Sequence, residues 1–383
     1  MTGYAAGGRV DLEYEQDASA LSALPMAWTI KRDKAIFTKP DYNQGYAVMN
    51  SKGTEKISCF LYREGLHFTL PPEIAYLAPR MSEFVLRAPD GTLAPSPEVF
   101  YETANPDAAF FFLFPYDLGQ YIDSNHLQLC ENLIAGLPYL EGREKRHIVC
   151  DYGDKTFCIT PPVCLFKVSL LKTQRHLAVP LWYSLPRHTL KAGASFDWSA
   201  IRYAVSFVGA NSHIVRRIML ASIRKQAPEL KVFFNLRDEL KVAGGYFFKP
   251  SKNPEEAQAE QAIFLKSIAE SFSVLCPPGV GPQSIRLYET MALGRIPVIF
   301  GAHAAYPLEG RPEENMIDYD SFCLRIPEEE ILNTGSILKN FFAQTSEEEL
   351  RARCVLACRI WNRRFAAGKL RTLLNEAQRK FAL

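Results

Sequence analysis

Short apolar runs alternate with longer amphipathic stretches along the chain, and this pattern is typical of strands that alternate with helices. The apolar runs predict strands at residues 35–38, 57–62, 108–115, 147–151, 177–180, 203–209, 231–236, 274–276 and 296–300. Helical spacing predicts helices at residues 124–137, 254–272, 328–342 and 347–365, the first with Ser124 as its N-cap. The run at 108–115, AAFFFLFP, is apolar throughout, as in a strand buried on both faces of a parallel sheet. The sequence therefore predicts an α/β protein built on parallel sheets.

The chain divides into two βα-rich halves, separated by a looser segment at residues 186–198. A length of 383 residues exceeds what one hydrophobic core usually supports, so two domains are expected. We predict a first domain at residues 1–195, a second at 196–360, and a C-terminal helix at 361–383 that packs back toward the first domain. Hydrophobic content of 48% and a formal net charge of +2 describe a globular protein and give no reason to expect a nucleic-acid partner.

The nine cysteines contain no CxxC pair, which suits free thiols in a reducing compartment. Cys354 and Cys358 share a helix face but lack a second pair of ligands, so we expect no zinc site. No apolar run is long enough to cross a bilayer, and the first residues, MTGYAAGGRVDLEYEQD, lack the apolar stretch of a secretory signal. We expect a cytoplasmic protein, with the Golgi lumen as the alternative if an anchor has been trimmed from the chain.

Residues 273–301 combine a strand, a glycine-rich turn, a helix and a second strand. Gly279 and Gly281 allow a ligand to approach backbone amides that a Cβ atom would keep away, and the helix that begins near 282–284 points its positive end at the turn. The helix then presents, at helical spacing, a hydroxyl, a cation and a carboxylate: Ser284, Arg286 and Glu289. These groups are suited to bind a phosphate with a neighbouring ribose. The alternative interpretation is an ordinary glycine turn of an α/β protein without a ligand.

This segment resembles the signature of the exostosin family, glycosyltransferase family 47. The positions that match are Cys276, Pro278, Gly279, Gly281, Ser284, Arg286, Leu287, Glu289, Gly294, Pro297 and Val298. Residues 317–329 resemble a downstream run of the same family, and the strand that ends at Gly209 resembles the opening of its second domain. The resemblance is strongest over residues 202–330 and patchy over 107–180. It implies a GT-B-type fold, in which two Rossmann-like domains face a cleft.

The resemblance also implies an inverting glycosyltransferase of polysaccharide or glycoconjugate biosynthesis, which moves a sugar from a nucleotide sugar, expected to be a UDP-sugar, to a glycan hydroxyl. The departing diphosphate requires positive charge. The residues expected to bind the donor are Gly209, Arg216, Arg217, Gly279, Gly281, Ser284, Arg286 and Glu289. Asp318 and Asp320 spell the DxD string of metal-dependent transferases. In exostosins, however, this segment lies well after the phosphate turn, and GT-B enzymes generally neutralise the diphosphate with protein groups, so we expect no metal.

The acceptor hydroxyl needs a base, which the first domain should supply. Asp151 is the first choice, because it ends a predicted strand and occupies the aspartate position of the family's H-D-W-G segment, where Cys150 replaces the histidine. Asp154, Asp117 and His147 are the alternatives. A structural role for Asp151, as an acid that caps the next loop, is equally open.

The expected partners are a nucleotide-sugar donor and a glycan or glycoconjugate acceptor, while the formation of homo- or hetero-oligomers stays open. Trp182 and Tyr183 follow a predicted strand, and we expect them to pack in the core rather than to stack on an acceptor sugar. Two alternatives remain: a retaining GT-B transferase, and a catalytically silent subunit that binds a nucleotide, which the substitution at Cys150 keeps open. A nucleotide-sugar epimerase is excluded, because no G-x-G-x-x-G turn lies near the start of the chain.

Overall fold

The computed structural model describes residues 56–75, 80–160, 162–183, 185–210, 213–237, 254–301, 303–310, 316–366 and 370–383. The strand predicted at 35–38 and the N-terminal stretch MTGYAAGGRVDLEYEQD lie outside these ranges. Residues 55–383 form one compact unit, and its described residues hold two parallel sheets and a short antiparallel pair, Val85–Arg87 with Leu93–Pro95. The domain boundary at 195/196 stays a prediction.

The strands are β1 (Ile57–Leu61), β2 (Val85–Arg87), β3 (Leu93–Pro95), β4 (Phe100–Glu102), β5 (Phe111–Asp117), β6 (His147–Asp151), β7 (Cys164–Lys167), β8 (Ala178–Pro180), β9 (Tyr203–Ala210), β10 (Val232–Arg237), β11 (Ser271–Cys276), β12 (Ile296–Phe300) and β13 (Leu324–Ile326). Eight of the thirteen strands in the described ranges fall on predicted apolar runs, whereas β2, β3, β4, β7 and β13 were not predicted. The helices are α1 (Pro72–Ala75), α2 (Gly119–Asp123), α3 (Leu127–Ala135), α4 (Arg187–Ala192), α5 (Ile214–Gln226), α6 (Pro254–Ala269), α7 (Ile285–Ala292), α8 (Thr334–Gln344), α9 (Glu347–Ile360) and α10 (Leu370–Phe381).

Two parallel sheets organise the fold, with strand orders β4-β1-β5-β6-β7-β8 and β10-β9-β11-β12-β13. In each sheet the chain first adds a strand on one side of the starting strand and then continues on the other side. The order therefore reverses between β1 and β5 in the first sheet and between β9 and β11 in the second. Open α/β sheets bind ligands outside the carboxyl ends of the strands at such a reversal. The topology therefore favours a ligand site at the carboxyl ends of β9 and β11.

Strand β5 shows why the phenylalanine run folds as it does. Alternate side chains enter different clusters: Phe111 and Leu113 pack on one face of the sheet, and Phe112 and Phe114 pack on the other. A strand covered on both faces has no solvent side, so the run carries no polar alternation. The predicted packing role of this run is confirmed.

The C-terminal helix α10 crosses back to the first sheet. Its Leu373 and Leu374 are fully buried in the largest apolar cluster, which draws residues from both sheets. The Lys380 ammonium donates hydrogen bonds to the carbonyl oxygens of Arg175 and Ala178 beside β8. Together with the two parallel Rossmann-like sheets, this helix confirms the predicted GT-B-type fold. Within the described ranges, no helix combines the length and the apolar character needed to cross a bilayer.

Several predicted helix boundaries were wrong. Ser124 ends α2 instead of starting a helix, since its hydroxyl donates to the carbonyl oxygen of Gln120, and α3 begins after His126. The helix predicted at 328–342 starts as a 3₁₀ turn, Glu328–Asn333, before α8. The helix predicted at 347–365 ends in a π turn, Trp361–Phe365, which places both aromatic rings in the core.

Gly294 provides a test of the turn between α7 and β12. It has φ +70°, and a Cβ atom there would lie 2.9 Å from the Phe196 ring. We expect Gly294→Ala to lower the free energy of unfolding by more than the roughly 1–2 kcal/mol that a left-handed backbone costs an L-residue. Gly91→Ala is the control, because Gly91 has φ +86° and no atom within 4 Å of an added Cβ. Urea denaturation measures both, and equal losses would show that the Phe196 contact adds nothing.

Candidate active site

Two glycines at the reversal between β9 and β11 make room for two cations. Gly209 lies near the end of β9, and a Cβ atom there would be 3.3 Å from Nη2 of Arg286. Gly279 lies in the turn after β11, and a Cβ atom there would be 3.3 Å from Nη2 of Arg216. Any other residue at either position would press on a guanidinium group. Gly209 and Gly279 therefore leave room for the guanidinium groups of Arg286 and Arg216 at the carboxyl edge of the second sheet.

Both guanidinium groups lie over the ring of Phe207 on β9. The Cζ atom of Arg286 is 4.9 Å from the ring centroid, and that of Arg216 is 6.0 Å away. The Nη1 group of Arg216 donates to the carbonyl oxygen of Ala210 at 2.9 Å. Burial, together with the charge of Arg286, lowers the pKa of Arg216 to about 10. Two cations held this close favour a bound anion, which relieves their mutual repulsion.

Helix α7 points its N-terminus at the same place. Ser284 occupies the N-cap position with an extended backbone, but its side chain makes no capping hydrogen bond. Its half-buried hydroxyl is therefore not committed to the helix. The first backbone N–H groups of α7 and the positive end of its dipole add to the two arginines. This arrangement can neutralise a phosphate or a diphosphate.

Glu289 lies one turn beyond Arg286 on α7 and is buried. Burial raises the pKa of Glu289 to about 7, while Arg286 and, to a lesser degree, Thr189 of α4 oppose that rise. The influence of Arg286 places the two side chains in one environment, as their helical spacing predicts. A carboxylate at this position can accept hydrogen bonds from sugar hydroxyls.

The structure separates the neighbouring arginines of α5 and changes the interpretation of Gly281. Arg216 faces the turn at Gly279, whereas Arg217 is exposed. Gly281 is buried, and a Cβ atom there would be 2.3 Å from Oγ of Ser169 and 2.8 Å from the carbonyl oxygen of Asp154. Gly281 thus lets the turn contact the first half of the protein, and the approach of a ligand to its backbone stays a prediction.

The loop that follows β6 is held by buried aspartates. Each backbone N–H from residue 152 to residue 155 donates to a carboxylate: Tyr152 to Asp117 at 2.8 Å, Gly153 to Asp151 at 2.8 Å, and Asp154 and Lys155 to Asp123 at 2.9 and 3.0 Å. The acceptors come from the end of β5, the end of β6 and helix α2. Parallel strands bring these ends to one edge, so the loop is fixed at the carboxyl edge of the first sheet.

The enclosure of Asp151 argues against its predicted role as the base. Its side chain has 0% exposed surface and forms an ion pair with Lys167, which is equally buried, at 2.5 Å. Burial raises the pKa of Asp151, and Lys167 opposes the rise. A base must contact the acceptor hydroxyl. Asp151 is instead placed to stabilise the loop.

Asp117 and His147 are enclosed as well. Burial raises the pKa of Asp117 to about 6, and its carboxylate accepts hydrogen bonds from the backbone of Gly119 and Tyr152. The ring of His147 stacks on Phe112 at 4.5 Å, and burial lowers its pKa to about 4. Neither side chain is open to an acceptor.

Asp154 is the sequence-predicted base that lies at the donor turn. Its side chain is half-buried, and its backbone carbonyl packs against Gly281. The Tyr183 hydroxyl donates to its Oδ1 atom at 2.9 Å. Burial raises the pKa of Asp154. A carboxylate with a raised pKa beside the anion site has the chemistry of a general base.

The DxD string has structural partners. Asp318 accepts a hydrogen bond from the backbone of Asp320 at 3.0 Å, and Asp320 pairs with Arg325 at 2.9 Å. Cys354 and Cys358 are buried thiols on α9. Across the ranges that the structure describes, no three His, Cys, Asp or Glu side chains are grouped so as to hold a metal ion.

Sequence reasoning missed three residues of this site: Asp123, Lys167 and Ser169. Lys167 ends β7, next to the strand that Asp151 ends, and Ser169 follows two residues later. The adjacency of β6 and β7 pairs Lys167 with Asp151, but it is visible only in the fold, since no strand was predicted at 164–167. Asp123 carries no comparable signal, because only the folded loop brings it to residues 154 and 155.

Residues 178–341 match the family model of the Exostosin GT47 domain. This match confirms the predicted resemblance to the exostosin family over that range and supports a glycosyltransferase. The matched range contains both arginines of the anion site, whereas the loop at 152–155 precedes it. No curated protein sequence matches the chain significantly.

The chain also resembles solved structures of glycosyltransferases at low identity. TarM is 12% identical, with a TM-score of 0.35, and the match covers 66% of this chain and 58% of TarM. An α-glucosyltransferase in complex with UDP-glucose and DNA is 10% identical, with a TM-score of 0.40, over 70% and 80% of the two chains. Sucrose-phosphate synthase from Thermosynechococcus elongatus is 9% identical, with a TM-score of 0.41, over 86% and 100%. All three TM-scores lie below 0.5.

Arg216→Gln tests the anion site, with Arg217→Gln as its neighbouring control on the same helix. A hydrogen bond to a charged group contributes about 1.5–3 kcal/mol, so the affinity for inorganic pyrophosphate should fall roughly 10- to 100-fold in Arg216→Gln. Arg217→Gln should bind within about twofold of the unmodified protein, because an exposed side chain contributes little. Isothermal titration calorimetry measures both. Equal losses in the two variants would contradict the assigned site.

Proposed function

We propose that this protein transfers a sugar from a nucleoside diphosphate sugar, with UDP as the nucleotide, to a hydroxyl group of a glycan. The observation that carries the proposal is the pair of guanidinium groups at the N-terminus of α7, set against a loop that bears a carboxylate. Leaving-group stabilisation and a base are the two requirements of such a transfer. The match to the Exostosin GT47 domain over the donor half supports the same reaction class.

The donor binds across the reversal between β9 and β11. Arg216, Arg286 and the first N–H groups of α7 hold the diphosphate, and Ser284 adds its uncommitted hydroxyl. Glu289 accepts hydrogen bonds from the ribose hydroxyls. Since the positive charge is in place before the donor arrives, it needs no rearrangement when the sugar leaves.

Asp154 acts as the general base. It removes the proton of the acceptor hydroxyl while the acceptor oxygen forms a bond to the anomeric carbon. The bond between that carbon and the diphosphate oxygen breaks, and its electron pair leaves with the nucleotide, where Arg216 and Arg286 stabilise the new charge. One displacement at the anomeric carbon inverts its configuration.

The alternative of a catalytically silent subunit loses its main support in the structure. Cys150, which replaces the family histidine, has 0% exposed surface and lies in the core cluster, where its sulfur accepts a hydrogen bond from Ser82. A substitution inside the core says nothing about the open part of the site. The silent subunit and the retaining transferase are both outcomes that the following experiment distinguishes.

The experiment is a transfer assay with a panel of UDP- and GDP-sugars, with and without glycan acceptors. We expect turnover with at least one UDP-sugar and a product whose anomeric configuration, read by NMR, is opposite to that of the donor. Retained configuration would replace the inverting mechanism by a retaining one. Nucleotide binding without hydrolysis or transfer would identify a silent subunit and overturn the proposal.

Asp154→Asn tests the base. Because general base catalysis typically contributes about 10²–10⁴-fold, kcat should fall by that factor while donor affinity stays within about twofold. Asp197→Asn is the control, since Asp197 is exposed and caps the short turn at Trp198–Ala200 away from the loop. Unchanged turnover in a folded Asp154→Asn variant would exclude Asp154 as the base.

Chelation tests the origin of the positive charge. Because two arginines and a helix N-terminus supply that charge, we expect transfer activity to persist in excess EDTA at its untreated rate. The assay is initial rate against chelator concentration at fixed donor. Strict loss of activity that manganese restores would show that a metal ion, not the arginine pair alone, neutralises the diphosphate.

A further inference from the structure

Two hydroxyl groups form a hydrogen-bonded chain that ends at the carboxylate of Asp154. The three residues of this chain follow three different strands, β6, β7 and β8. The Tyr183 hydroxyl lies 2.9 Å from Oδ1 of Asp154 and 3.2 Å from Oγ of Ser169. Ser169 follows β7, Tyr183 follows β8, and Asp154 follows β6. Tyr183 is buried, and its hydroxyl has these two partners. If Ser169 donates to the tyrosine oxygen, the tyrosine donates to the carboxylate.

The same chain contacts the donor half at two points. Ser169 lies against Gly281, where a Cβ atom would come within 2.3 Å of its Oγ. The ring of Tyr183 packs near the ring of Tyr288 on α7, with centroids 6.3 Å apart. Helix α7 also carries Arg286. The position of the Tyr183 hydroxyl is therefore determined from the donor half as well as from the first sheet.

The charges around Asp154 come from several elements. Asp123 of α2 and Asp151 at the end of β6 raise the pKa of Asp154, as burial does, whereas the Tyr183 hydroxyl and Lys167 at the end of β7 lower it. Of these influences, only the hydroxyl of Tyr183 makes a directional contact with the carboxylate oxygen. Removal of that hydroxyl alone would leave the other charges where they are.

We propose that Tyr183 is a positioning residue for the transfer reaction: its hydroxyl, held between Ser169 and Asp154, orients the Asp154 carboxylate and favours its charged form. This inference rests on the proposed function, because it requires Asp154 to act as the base. The ring of Tyr183 fills space in the core, and phenylalanine fills the same space. The hydroxyl is the part of the side chain that the core does not need.

The test is the pH dependence of kcat/KM in Tyr183→Phe. Loss of a hydrogen bond that favours the carboxylate raises its pKa, so the limb at which activity falls on acidification should move to higher pH, by about 0.5–1 unit. At a fixed pH on the acid side of that limb, kcat should fall by roughly three- to tenfold and recover as the pH is raised, and the donor KM should stay within about twofold. Recovery at high pH is not expected from damaged packing.

Tyr116→Phe is the matched control. Tyr116 is also buried in the first half, and its hydroxyl donates to the Glu64 carboxylate at 2.6 Å, so the substitution removes the same kind of hydrogen bond away from the loop. Its pH profile should coincide with that of the unmodified protein. An unshifted acid limb in folded Tyr183→Phe, or an equal shift in Tyr116→Phe, would overturn the proposal.

A second variant covers the case in which Tyr183→Phe does not fold. Ser169→Ala keeps the tyrosine but removes its other partner, and it should shift the acid limb in the same direction by a smaller amount. Thermal unfolding shows whether each variant is folded. An unshifted limb in folded Ser169→Ala, when Tyr183→Phe is unfolded, would count against the proposal.

A readout without turnover separates this inference from the proposed function. The carboxyl carbon of Asp154 can be titrated by NMR in ¹³C-aspartate-labelled protein, with Asp154→Asn to assign its signal. If the unmodified protein transfers no sugar, the proposed function fails, yet the titration still measures whether Tyr183→Phe raises the pKa of Asp154. We expect that rise, and an unchanged titration would refute the role of Tyr183.

Discussion

The candidate site is organised around two guanidinium groups that contact the same aromatic ring. Arg216 and Arg286 come from different helices, and their Cζ atoms lie 6.0 and 4.9 Å from the centroid of the Phe207 ring on β9. The ring offers a negative face to each cation. Gly209 and Gly279 leave room for the two guanidinium groups, since a Cβ atom at either position would lie 3.3 Å from one of them. Burial and the charge of Arg286 lower the pKa of Arg216, so an anion bound beside Arg216 would stabilise its charged form.

The opposite sign of charge collects at the edge of the first sheet. Aspartates stand at the ends of β5 and β6 and on α2, and they accept hydrogen bonds from the backbone N–H groups of residues 152–155 in the loop after β6. Such a loop has little freedom, because movement would leave buried donors and acceptors unsatisfied. The buried ammonium group of Lys167 pairs with Asp151 and offsets part of the negative charge of these aspartates. Asp154, whose side chain is half-buried, lies in this loop, next to the turn that carries Gly281. In the proposed reaction the first half supplies the base and the second half stabilises the leaving group.

Local spacing in the sequence locates part of the proposed donor pocket, whereas it does not show what encloses a candidate base. Ser284, Arg286 and Glu289 lie at the N-cap of α7 and along it, where helical spacing relates them, but Arg216 comes from α5 and is brought to them only by the fold. The position of Asp151 at the end of a strand was predicted correctly. That position places Asp151 at the edge of the sheet, but it does not show which side chains cover it. Lys167, sixteen residues away and on the next strand, encloses Asp151. Pairing between strands of this kind depends on register, which a single sequence does not reveal.

The relation between base and donor pocket depends on how the two halves are joined. The backbone N–H of Lys172 donates to the carbonyl oxygen of His303 at 2.7 Å, and that of Ala305 donates to Leu170 at 2.8 Å. Glu309 adds an ion pair to Arg175 at 2.6 Å. These bonds begin one residue beyond Ser169, the residue against which Gly281 packs.

Of these bonds, the one between Ala305 and Leu170 joins two fully buried residues, and such a bond breaks only at considerable cost. The turn after β11 and the loop after β6 are in direct contact where Gly281 packs against Ser169 and Asp154. In the proposed reaction, the position of the Asp154 carboxylate relative to the donor therefore depends on local contacts at Gly281 and Tyr183, and a change in reactivity should originate at these contacts.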